Sequence, residues 1–265
     1  MNEVTNLVNQ AIDDVYADKP ASTRRRFVQG AGAVLAAMGV TAAGGERAFG
    51  QSTPNTPTNI LAVAATAEVL ATIVNTVGYE RVTLDNVTRL NIAAAAREEL
   101  IHYQVLTSSA VGGKPVTTRI WVPDAVFASR ESFLTTLAVG DQIFCNAYLL
   151  ATTVWARKST RDARLARIAA EFMGVEAVHR ALALQSLGKL GNDRVFIRYV
   201  QREETLGLPS TGSPGFYDIR QAVAQLEAAG FGFGEQGAGP GAFYEFSEVS
   251  ARTPNPPGLN TLTPK

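Results

Sequence analysis

The chain has 265 residues with 24 acidic and 24 basic side chains, so its formal charge at neutral pH is zero. A balanced chain offers no electrostatic footprint for nucleic acid or anionic lipid, and both kinds of partner are set aside. Its single cysteine, Cys145, excludes an internal disulfide and every metal site built on paired cysteines. Long runs of Ala, Leu and Val with only two Trp lean the chain towards helices.

The first fifty residues read as an export segment. Thr23-Arg24-Arg25-Arg26-Phe27-Val28-Gln29 stands directly before an uncharged, Gly- and Ala-rich stretch over 30–43. Paired arginines ahead of an apolar segment are the mark of the twin-arginine route. The stretch is shorter than the roughly 20 apolar residues a bilayer span needs, so no stable membrane span is expected after cleavage. Ala48-Phe49-Gly50 offers small residues for a signal peptidase, with a second candidate cut near Ala42-Ala43-Gly44. A basic cluster before an ordinary helix, or an uncleaved anchor, are the alternatives. Export folds the protein first and so suits a buried metal centre.

Residues 51–57 form a polar linker with Pro54 and Pro57. Helical periodicity then predicts a first helix over about Thr58 to Val77, stopped by Gly78, and a second over about Leu84 to Ser108. Val116 to Val122 is β-branched and alternating, which predicts a short strand or extended crossover. Ser129 opens a third helix reaching about Arg157. Ser159 and Asp162 form a Ser-x-x-Asp cap for a fourth, which lasts to about Leu187. Ser213-Pro214 is read as the start of a shorter fifth helix over about Gly215 to Ala229. A Gly- and Pro-rich tail follows, with a disordered last dozen residues. The fold class is therefore all-α: a four-helix bundle over 58–190 with one long crossover, and an extension over 191–265.

The chemistry rests on the only two histidines, each preceded three residues earlier by glutamate: Glu99/His102 and Glu176/His179. Residues i and i+3 share a helix face, so each motif projects a carboxylate and an imidazole together. Glutamate is about 6% of the chain, so chance alone gives both pairs on the order of 0.3% of the time. The first helix holds a mid-helix carboxylate, Glu68, among alanines, and the third holds Asp141 in a stretch almost free of charge. Such carboxylates are costly unless paired or bound to metal. Glu131 sits in a polar first turn, where an acid favours the helix dipole. Four carboxylates and two imidazoles suit two ions of Fe or Mn, less well Zn. Glu99 and Glu176 are assigned as bridges, Glu68 and Asp141 as terminal ligands, and His102 and His179 as one cap each. Open positions would take water, O2 or peroxide.

Among the neighbours, Tyr148 follows Asp141 by two turns and is either a hydrogen-bond donor or radical site at the centre or a core tyrosine. Cys145 is read as a small buried filler, Glu98 and Glu171 as solvent-facing, and Arg97 and Arg180 as partners for carboxylates.

These ligands and their spacing resemble the ferritin-like superfamily, particularly its exported branch that includes desiccation-related proteins. Asn59-Ile60-Leu61 to Glu68 is similar to that branch's first helix. Asp141 to Ala147-Tyr148 is similar to its third, where an acid precedes an Ala-Tyr pair. The resemblance spans roughly residues 57–190. It departs from the family pattern at Asp141, where glutamate is usual and the side chain here is one methylene shorter. It implies an exported protein, periplasmic or secreted, with a dinuclear Fe or Mn centre and oxidase, ferroxidase or peroxide-consuming chemistry. The alternative is a non-catalytic envelope protein linked to stress or desiccation, with a structural or vacant site. A monomer or dimer is expected rather than an iron-storing cage.

Overall fold

The protein, seen in a computed structural model, is described over residues 55–156, 159–192, 197–198, 213–214 and 218–260. The export segment and its cut sites lie outside the described residues. Helix α1 (Pro57–Arg81) starts where Thr56 caps it, its side chain accepting from the Asn59 amide, with Pro57 in the first turn where no amide donor is needed. Helix α2 (Asn86–Thr107) is capped by Asp85. Strand β1 (Arg119–Pro123) and a 3-10 turn (Asp124–Phe127) lead to helix α3 (Arg130–Trp155), capped by Ser129. Helix α4 (Thr160–Ser186) opens on Ser159, which accepts from the Asp162 amide and also bonds the Asp162 carboxylate, so the predicted cap is formed.

Gly78 does not stop the first helix. It lies inside α1, and a Cβ there would collide with the Phe133 ring, so the glycine serves the close approach of α3.

The described part is mostly helical. Helix α1 packs on α2 and α3, and α4 packs on α3 and α2. End contacts fix the directions. Arg130, at the start of α3, bonds Asp85 at the start of α2, whereas Arg161, at the start of α4, reaches the Val111 carbonyl just past the end of α2. The link between α2 and α3 therefore runs the length of the helices. Helix α1 is apolar on nearly every side because it is covered on nearly every side. By length and apolarity it could cross a membrane, but 89% of its most apolar window is buried inside the fold.

The C-terminal extension departs from expectation. Ser213–Pro214 (β3) form a two-residue strand paired in parallel with Ile197–Arg198 (β2). The next helix, α5 (Ile219–Ala228), starts later than predicted, because the Asp218 carboxylate caps it. What reads as an irregular tail contains β4 (Gly232–Phe233), β5 (Gly241–Glu245) and a short helix α6 (Phe246–Ser250). Strand β1 lies between β4 and β5 in an antiparallel sheet, with Ile120 opposite Phe233 on one side and Tyr244 on the other. Gly241 is required there: a Cβ would meet the Val122 carbonyl at 2.6 Å and the Trp121 ring at 2.8 Å. The crossover strand thus ties the extension to the helices, with α5 against α1 and α3 and α6 against α1. Thr253 bonds Thr76, and Arg252 pairs with Glu80, both on α1. Residues 251–260 carry no helix or strand, and 261–265 lie outside the described residues.

Candidate metal centre

The middles of α1, α2 and α4 bring Glu68, Glu99, His102 and Glu176 together, with one ligand atom from each lying within 4.8 Å of all the others. All four are buried, and the three glutamates have no exposed surface. His102 Nδ1 faces Glu68 Oε2 at 3.5 Å, Glu99 Oε2 at 3.3 Å and Glu176 Oε1 at 3.3 Å. His179 lies beside this group, its Nδ1 at 3.0 Å from Glu99 Oε1 and 3.7 Å from Glu176 Oε2. Glu99 and Glu176 therefore each offer one oxygen to each imidazole. Glu68 meets only His102 among the two.

Asp141 falls outside the four-residue group but not outside its field. It is buried on α3, senses the charges of Glu176, His179, Glu99 and Arg180, and lines a small cavity together with His179.

Burial pushes Glu68 well above the ordinary carboxylate value, with His102 opposing the rise and Glu99 adding to it. Asp141 is likewise pushed well up by burial and by Glu176. Glu99 goes the other way: burial raises it, but the charges and hydrogen bonds of His179 and His102 outweigh burial and hold it low. Both imidazoles rise well above their ordinary value of 6.5, because the facing carboxylates, Glu68 for His102 and Glu99 for His179, overcome the burial that would lower them. The facing carboxylates favour the protonated imidazoles, whereas a metal ligand must be neutral, so a cation entering here would compete with protons.

Glu68 Oε2, Glu99 Oε2, both Glu176 oxygens, Asp141 Oδ2 and His102 Nδ1 lack a hydrogen bond of ordinary geometry among the described residues, and all but Asp141 Oδ2 meet an imidazole or carboxylate of the group at 3.3–3.7 Å. Buried polar atoms are almost always satisfied, and leaving one unmade costs about 1–3 kcal/mol. The atoms of Glu68, Glu99, Glu176 and His102 converge, and carboxylate oxygens with an imidazole nitrogen form a donor set that a cation could satisfy together. The residues present fit a metal ion.

The surroundings hold three further contributors. Tyr148, from α3, donates its hydroxyl to Glu68 Oε1 and is fully enclosed, so it is a hydrogen-bond donor to the centre. Phe172 stacks on His102 with ring centroids 3.9 Å apart. Glu98 is a correction. It is not solvent-facing but half-buried, and its Oε2 lies 2.8 Å from His179 Nε2. Neighbouring helix positions point about a quarter-turn apart, which set Glu98 off the ligand stripe. The missed signal was that a histidine using one nitrogen on a metal needs a partner for the other. Glu171 is exposed and pairs with Arg167 as a surface residue does. Cys145 is a buried filler whose thiol points at the Met173 carbonyl, and burial pushes it above the ordinary thiol value.

Compared with protein-family models, curated proteins and solved structures, the chain matches none of them.

Proposed function

We propose that this is an exported protein of ferritin-like type, in which α1 to α4 form a bundle around a dinuclear iron or manganese centre. Glu68, Glu99, His102, Asp141, Glu176 and His179 would hold the ions, with Glu99 and Glu176 each facing both histidines. The observation that carries this reading is the buried group of Glu68, Glu99, His102 and Glu176, in which Glu99 and Glu176 are each shared between two histidines.

Iron or manganese held there supplies one-electron redox chemistry and open positions for O2 or peroxide. The chain's own residues prepare the site. Tyr148 fixes one oxygen of Glu68 and leaves the other for the ion. Glu98 holds His179 Nε2 and so leaves Nδ1 as the ligand atom. Phe172 covers His102 and excludes water from that side.

Elemental analysis of the natively exported protein tests the reading, with about two Fe or Mn per chain expected. Protein carrying no metal, and taking none up from Fe(II) or Mn(II), overturns it. Metal without consumption of O2 or H2O2 leaves the centre in place and favours the structural, stress-related role over oxidase or peroxide chemistry.

A further inference from the structure

A second cavity lies between α1, α3 and α5, walled by Ala64, Phe144, Ala147, Ala151, Ala222 and Val223 and lined almost wholly by apolar surface. Its volume is about 20 Å3, enough for one water-sized molecule. The space exists because alanines stand where three helices meet, and interiors elsewhere close such gaps. A water would need two to four polar partners to stay in it.

Two lining residues carry side-chain hydroxyls, and both are engaged elsewhere. Thr66 Oγ1 donates to the Ala62 carbonyl at 2.7 Å and accepts from the Val116 amide at 2.8 Å. The Tyr148 hydroxyl donates to Glu68. The chamber is therefore dry by construction. It is also placed with purpose, because Tyr148 is at once its wall and the hydrogen-bond partner of Glu68. A molecule in the chamber sits one side chain away from the centre.

We infer that this chamber is a binding site for a small apolar molecule of the dioxygen class, walled on one side by the C-terminal helix α5. Its use by the centre rests on the metal reading above; its occupancy does not. The occupant must be apolar and small, a diatomic gas or a single xenon atom. The inference also gives the extension a role: Ile219, Val223 and Leu226 supply the wall that the four long helices leave open.

The test uses xenon as the probe, on crystals of the full exported chain with and without chelation of metal. A xenon peak between α1, α3 and α5 is expected in both. Ala222→Leu, which fills the chamber from α5 and touches no candidate ligand, loses that peak while binding metal as the parent does. Val223→Ala enlarges the chamber and gains occupancy at the same pressure, which keeps the inference testable if the leucine variant fails to fold. An ordered water in the chamber, no xenon there, or xenon retained unchanged in Ala222→Leu overturns it. Xenon without any metal uptake removes the proposed function and keeps the chamber; metal without xenon does the reverse.

Discussion

His102 and His179 face the same two glutamates, Glu99 and Glu176, yet their surroundings differ. His102 lies under Phe172, and its glutamate partner Glu68 is held by Tyr148, so that half is walled by aromatic rings. His179 is held by the half-buried Glu98 and borders a cavity shared with Asp141, Asn75, Asn91 and Ser186. One half meets aromatic rings, while the other meets polar side chains that lead towards the half-buried Asn91 and Ser186. The same Glu-x-x-His motif thus produces two environments, because what surrounds a ligand is set by the neighbouring helices and not by the motif.

The largest effect comes from the residues the halves share. Glu176→Ala removes an oxygen from each side, and metal content is expected to fall towards zero by elemental analysis. Retention of one full ion per chain would contradict the bridging role. Glu98→Gln acts on the His179 half alone. It is expected to weaken metal affinity by about 10- to 100-fold in a competitive chelator titration. Glu171→Gln, at the exposed Arg167 pair, is the control that leaves affinity unchanged.

Tyr148→Phe acts on the His102 half. It removes the hydroxyl from Glu68 and is expected to cost about 1–2 kcal/mol in chemical denaturation of the metal-free protein. No change in stability would mean that the bond does not hold Glu68.

The smallest effect is a pH dependence common to both halves. His102 and His179 are raised in the folded state, so their contribution to stability is full below 6.5 and is lost as pH rises through their higher folded values. Glu68 and Asp141, also raised, have the same sign from their ordinary values of 4.5 and 3.8 upward. Glu99, held low, opposes them only in acid. The Tm of metal-free protein is therefore expected to fall as pH rises above 6.5, and saturating metal to remove the decline as the cation replaces the protons. A metal-free Tm that stays level across that range would show that the imidazoles are not held protonated by their carboxylates.

Much of this was legible without coordinates, and the helix starts show why. Ser129 and Ser159 each cap the helix that follows, through a bond to an amide three residues on, whereas the caps at Thr56 and Asp85 emerged only from the structure. The Glu99/His102 and Glu176/His179 pairs are equally local, since one turn of helix aligns them. Glu68 was readable from its charge in an apolar run. Gly78 misled because a glycine that ends a helix and one that admits a neighbouring ring look the same in sequence. The tail misled because β4 and β5 are too short to show a period, and only β1, more than a hundred residues earlier, makes them strands.

What the sequence alone determined, then, is what one helical turn can enforce: the helix starts at Ser129 and Ser159, the four long helices, and the two acid–imidazole pairs. The tertiary structure decided everything that joins residues far apart along the chain. Glu98 meets His179 across 81 residues, and Tyr148 meets Glu68 across 80. The sharing of Glu99 and Glu176 between both histidines, the place of Asp141 outside the four-residue group, and the apolar cavity beside α5 depend on how the helices pack. Backbone hydrogen bonding sets local geometry from composition, but packing places side chains only once every element has found its neighbours.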